Sequence, residues 1–200
     1  MNAQAANDIF RKSIQDYHLT DDIDTPIPNP YENGTISQLL YLKNWIDTVQ
    51  WHLEDIIRSP QIAPEELVAV KRRIDQSNQD RTDTVERIDD WFLSFFGTIE
   101  RKPGARLNSE TPAWLLDRMS ILQLKIYHFR EQAERSDASE EHRSKAEQKL
   151  RILLEQEQDL AMCFDELAED IRAGVRYMKV YRQMKMYNDP TLNPVLYQQK

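Results

Sequence analysis

An amide and a guanidinium stand where a helical bundle would place leucine. When IDQSNQDRTDTV, residues 74–85, is wound at 3.6 residues per turn, Asn78 and Arg81 fall on the line joining Ile74 to Val85. Arginine grips carboxylate or phosphate bidentately, and asparagine supplies neutral hydrogen bonds. Downstream, PAWLLDRMSILQLKIYHF is apolar on almost every side yet carries Asp117, Arg118, Lys125 and His128, with Arg118 and Lys125 seven residues apart on one strip. Upstream, Tyr41, Trp45, Thr48, His52 and Asp55 form a strip beside a leucine seam. A buried cation without a partner is too costly to persist, so these groups must pair, bind an anion or reach water. Convergence of the three strips would make one interior site of net positive character for a phosphate or carboxylate. Arg81, Arg118 and Lys125 would bind the anion, Asn78 and His52 would orient it, and Asp55 and Asp117 would hold the cations, with His128 on the same helix.

The same polar residues could equally well fix helix register without binding anything, or face water. Other chemistry has weaker support. His52-x-x-Asp55 offers two metal ligands one turn apart, but no second histidine joins it, and SEEH has Ser139 where a di-iron repeat needs glutamate. No metal or cofactor is expected. Glu86-x-x-Asp89 and Glu166-x-x-Glu169-Asp170 have the spacing of a magnesium-dependent phosphohydrolase, but such pairs are common on solvated faces. Cys163, beside the seam residue Phe164, reads as a packed thiol. In RAGVRYMKVYRQMKMY, residues 172–187, five cations occur without an acid; Arg172, Arg176 and Lys179 would share a helical face for a partner or anion, or the tract would pair with acids on helices 2 or 3.

The elements that must position these groups are helices. A first helix over 3–18 precedes the irregular, proline-containing crossing segment 19–34. Thr35 and Gln38 form a capping box for helix 2, whose Leu39, Leu42, Ile46, Val49, Leu53 and Ile56 keep a heptad step. Pro64 opens helix 3, running to Phe96 with Leu67, Val70, Ile74, Val85, Ile88, Phe92 and Phe95 inward. After the loop 97–110, Thr111-Pro112 caps and opens helix 4, and 136–139 turns into a final helix over 139–187, on the order of 70 Å long. The expectation is a single all-α domain over 1–200: an N-terminal helix and Pro-rich segment (1–34), hairpins 35–96 and 111–187, and a tail 188–200. The overhang of so long a rod would favour a second copy of the chain, a homodimer.

Two hundred residues with 40% hydrophobic and 30% charged side chains suit one soluble core, and a net charge of −8 argues against general nucleic-acid affinity. One cysteine fits a reducing compartment, and with no apolar run long enough to span a membrane a cytoplasmic location is expected.

The blocks NPYENG, LYLKNWIDTVQWHLEDIIR, RRIDQSNQDRTDTVERID, SETPAWLLDRMSILQLKIYH and YMKVYRQMKMYNDPTLNP resemble a bacterial family catalogued as domain of unknown function 4254. The resemblance covers nearly the whole chain and implies members of similar length, in Bacteroidetes-like bacteria, with no established activity. Its blocks include Trp51-His52, Glu54-Asp55, Asn78-Gln79, Arg81, Asp117-Arg118, Lys125 and His128. The segment around Asp117 is also distantly similar to small proteins encoded beside envelope-glycan glycosyltransferases, which points towards polysaccharide assembly. Three functional expectations follow: an anionic-metabolite site, a scaffold docking a protein partner such as a glycosyltransferase, or a metal-dependent phosphohydrolase.

Overall fold

The computed structural model describes residues 1–184 together with 191 and 192. It contains α1 (Ala3–Tyr17), α2 (Ile36–Ile57), α3 (Pro64–Phe96), β1 (Arg106–Leu107), α4 (Pro112–Glu134), α5 (Glu140–Arg172) and β2 (Arg176–Tyr177). The fold is all-α, with β1 and β2 forming a two-residue parallel pair in which Arg106 faces Arg176 and Leu107 faces Tyr177.

Short side chains start the helices. Thr35, Thr111 and Ser139 accept from the backbone N–H groups of Gln38, Trp114 and His142, and proline follows the caps of α3 and α4. α2 pairs with α3 and α4 with α5, while α1 lies across α2, α4 and α5. The helix that is apolar all round is the central one. Leu115, Leu116, Met119, Leu122, Leu124 and Ile126 of α4 are all buried, and α4 touches the other four helices. Phe10 and Tyr17 of α1, Trp45 of α2, Phe92 of α3 and Phe164 of α5 complete the main core. A smaller cluster of Leu53, Val70 and Ile74 is covered by Ile23 from the connection between α1 and α2.

Three expectations are corrected. The final helix does not reach residue 187: α5 stops at Arg172, where Gly174 adopts φ +70°. Gly174 N–H donates to Ile171 O at 3.0 Å and Val175 N–H to Asp170 O at 3.0 Å, a Schellman stop. The same glycine admits another backbone, because a Cβ there would lie 2.5 Å from Glu100 O. With α5 at 33 residues, on the order of 50 Å, the rod of about 70 Å whose overhang suggested a second copy is not formed. In α3, Leu67 and Phe95 are exposed and Phe96 is buried, so the inner stripe is rotated at both ends. In α2 the leucine seam is half-buried at Leu42, Ile46, Val49 and Ile56; the fully enclosed face carries Lys43, Asn44, Asp47 and Thr48.

Candidate functional site

The enclosed face of α2 holds an ion network. Lys43 Nζ contacts Asp47 one turn on and reaches Asp117 Oδ1 of α4 at 2.7 Å; all three side chains are almost fully buried. From α3, Arg81 grips Asp117 with both arms of its fork, Nε to Oδ1 at 3.0 Å and Nη2 to Oδ2 at 2.6 Å. Its Nε also stands 3.4 Å from Asp47 Oδ1. Ser120 donates to Asp47 at 2.6 Å, and Asn44 Nδ2 donates to Ser120 Oγ at 3.0 Å. Two cations thus face two carboxylates, and the network is formally neutral rather than net positive. Burial pushes Asp117 up, but Lys43 and Arg81 outweigh it and hold the carboxyl below its usual range. Burial, reinforced by the charge of Asp117, pushes Asp47 up despite Lys43. Burial works against the Arg81 cation, but the bond to Asp117 more than offsets it and raises the guanidinium further.

Arg81 is the one member that meets solvent, with a side chain 28% exposed. It separates two hollows. One, about 400 Å³, is lined on α2 by Asp47, Gln50, Trp51, Glu54, Asp55 and Arg58, and on α4 by Ile121 and Leu124. The other, about 300 Å³, includes Asn78, Thr82, Trp114 and Asp117. Arg81 Nη1 makes no hydrogen bond among the described residues, since Nε and Nη2 take the contacts to Asp117.

A second constellation lies one turn along α2. His18, just past the end of α1, meets His52 of α2 and His128 of α4, with ring centroids 5.4, 5.5 and 5.8 Å apart. One ring nitrogen of each lies within 4.8 Å of the others, the one such group of three or more metal-ligand side chains among the described residues. Each ring has an aromatic neighbour: Tyr17 stacks on His52 at 5.0 Å, Trp51 on His128 at 4.7 Å, and Tyr127 lies 4.3 Å from His18. Burial lowers both His52 and His128.

The expected residues therefore divide. Arg81 and Asp117 meet at the centre; Asp55 lines the larger hollow; Asn78 lines the smaller one and accepts from Gln50 at 2.9 Å. His52 and His128 belong to the histidine group, so the reading that His52 has no histidine companion is overturned by the fold. Arg118 and Lys125 do not join the interior site: Arg118 is exposed and paired with Glu110 at 3.2 Å, and Lys125 is exposed. Arg172, Arg176 and Lys179 share no helical face, because α5 ends at Arg172 and none of the described residues after it is helical. Arg176 instead pairs with Asp170 at 2.9 Å, and the basic tract's Arg182 reaches Glu86 and Asp90 of α3, while its Lys185 lies outside the described residues. Cys163 is exposed rather than packed. Lys43, Asp47 and Ser120 escaped the sequence reading because a Lys and an Asp four apart look like a solvated pair. His18 escaped because it stands in a turn, outside any helical period.

A family described as "Protein of unknown function (DUF4254)" matches residues 37–180, which cover α2 from its second residue and all of α3, α4 and α5. No curated protein and no solved structure matches the chain.

Proposed function

We propose a small-molecule-binding role for this chain, which belongs to the DUF4254 family of proteins of unknown function. The ligand is an anionic metabolite such as a phosphorylated sugar or nucleotide sugar, held in the larger hollow between α2, α3 and α4. The observation that supports this reading most directly is Arg81, whose guanidinium is fixed by Asp117 and Asp47, keeps Nη1 without a hydrogen bond among the described residues, and lines a hollow of about 400 Å³. A donor already oriented by its neighbours loses little freedom on meeting phosphate. Arg58 adds a second cation at the rim. Trp51, Ile121 and Leu124 offer an apolar wall for a ring face, and Glu54 and Asp55 are acceptors suited to sugar hydroxyls. The segment similarity around Asp117 favours a place in cell-envelope glycan metabolism, and the exposed thiol of Cys163 favours a reducing, cytoplasmic setting.

Titration of the intrinsic tryptophan fluorescence with UDP-glucose and with glucose 6-phosphate tests this reading. A saturable change is expected for the native chain. Arg58→Gln, which leaves the buried network untouched, should weaken binding about tenfold, the loss of one charge-assisted contact of about 1.5 kcal/mol. Arg81→Lys should weaken it further, because a lysine keeps charge but not the fork. A flat titration for the native protein with both compounds and with inorganic phosphate would discard the proposal.

A further inference from the structure

We propose that His18, His52 and His128 form a binding site for a late first-row divalent cation, with Zn²⁺ as the reference ion. This rests on residues other than those of the anion site and stands or falls separately. Three of the chain's four histidines come together from three elements far apart in sequence. Their ring planes are mutually inclined at 63°, 68° and 75°, a tripod rather than a stack.

Hydrogen bonding fixes the tautomer of two of the three rings. His18 Nδ1 lies 2.7 Å from Ile14 O, and a carbonyl can only accept, so Nδ1 carries the proton. His128 Nδ1 lies 3.0 Å from a Glu131 carboxylate oxygen, which imposes the same tautomer. In both neutral rings Nε2 is then a bare lone pair. The Nε2 atoms of His18, His52 and His128 are all buried, and none has a hydrogen-bond partner among the described residues. Buried polar atoms without partners are costly, and three together are costlier still. One cation satisfies all three at once. Backbone and carboxylate partners on the far nitrogen are how metal-binding histidines are held, and the flanking Tyr17, Trp51 and Tyr127 rings fix the orientation further.

The donor set selects the ion. Neutral imidazoles suit zinc, copper, nickel and iron, and disfavour magnesium and calcium. Tetrahedral Zn–N bonds of about 2.0–2.1 Å need a modest closing of ring nitrogens that already lie within 4.8 Å. Three protein nitrogens leave a fourth position, and Asp21 brings a carboxylate oxygen to 3.7 Å from His52 Nε2. Asp21 is the sole non-glycine residue at positive φ among the described residues, held in its turn by an N–H bond of 3.0 Å to Tyr17 O. The larger hollow is one aromatic ring away, since Trp51 lines it and stacks on His128.

The test uses untagged full-length protein, chelator-treated and then dialysed against Zn²⁺, with metal counted by mass spectrometry and affinity measured by competition with a chromophoric chelator. One Zn²⁺ per chain is expected, with a rise in Tm on loading and a tetrahedral visible spectrum when Co²⁺ replaces zinc. His18→Gln, His52→Gln and His128→Gln should each abolish stoichiometric loading, and His142→Gln, which alters the exposed fourth histidine, should not. Glu131→Gln should lower affinity about 10–100-fold by loosening His128. Should the ligand variants fail to fold, the native protein decides alone through its Tm and Co²⁺ spectrum. No Tm change and sub-stoichiometric metal in the native chain, or undiminished loading of His18→Gln/His128→Gln, would overturn the site.

Discussion

Asp47 and Asp117 share the same lysine yet stand on opposite sides of the ordinary carboxylate range, and their stability effects therefore have opposite signs. Asp117 titrates lower in the folded chain than in the unfolded one, so its contribution is complete above about pH 4 and is lost as the pH falls through its depressed native value. Asp47 titrates higher when folded, so its charge reduces stability at neutral pH and acidification relieves that cost. At pH 7, Asp117→Asn should cost about 3–5 kcal/mol, the usual loss on breaking a buried pair, because Arg81 and Lys43 lose their shared partner. Asp47→Asn should cost less. Urea unfolding across a pH series measures both, and a larger loss for Asp47→Asn would reverse the assignment. Arg81 and Asp117 were legible in the sequence because apolar residues flank them along their helical lines. The lysine and serine completing the network were not, since nothing local distinguishes a buried salt bridge from a solvated one.

At the scale of elements, helix starts were readable and one helix end was not. Thr35, Pro64 and Thr111-Pro112 announce themselves through side chains that bond or spare the first N–H groups. The end of α5 depends on a residue without a side chain, and the apolar step continues past it to Met178, so periodicity alone ran straight through. Met178 is buried, but from a segment that turns back along the 97–110 connection. Gly174→Ala would meet both a left-handed φ and a Cβ 2.5 Å from Glu100 O. It should cost at least about 1–3 kcal/mol in thermal unfolding. Amide exchange should quicken at Lys102, Arg106 and Asn108, whose N–H groups bond Gly174, Val175 and Tyr177. An unchanged exchange pattern would show that the turn does not hold this connection.

Across the whole molecule, two polar seams run beside the apolar core. Besides the network around Lys43, Glu157 of α5 accepts from Arg11 of α1, from Gln123 of α4 at 2.7 Å and from Asn7 of α1 at 3.5 Å. Glu157→Ala should strip all three of their acceptor and loosen α1, costing about 1–3 kcal/mol. Hydrogen exchange at α1 amides, rising before that of α4, is the expected signature; equal protection in both helices would argue against it.

Lys43 has a further consequence for how the chain assembles. Its Asp47 partner comes with α2, but Asp117 arrives with α4, and Arg81 with α3. Until both hairpins are docked the ammonium must keep its water, so a half-built bundle gains little by closing over it. A docking error of one helical turn, about 5.4 Å, would entomb the lysine beside the wrong neighbours. Folding should accordingly show no stable half-bundle, and the two hairpins should form a single cooperative unit.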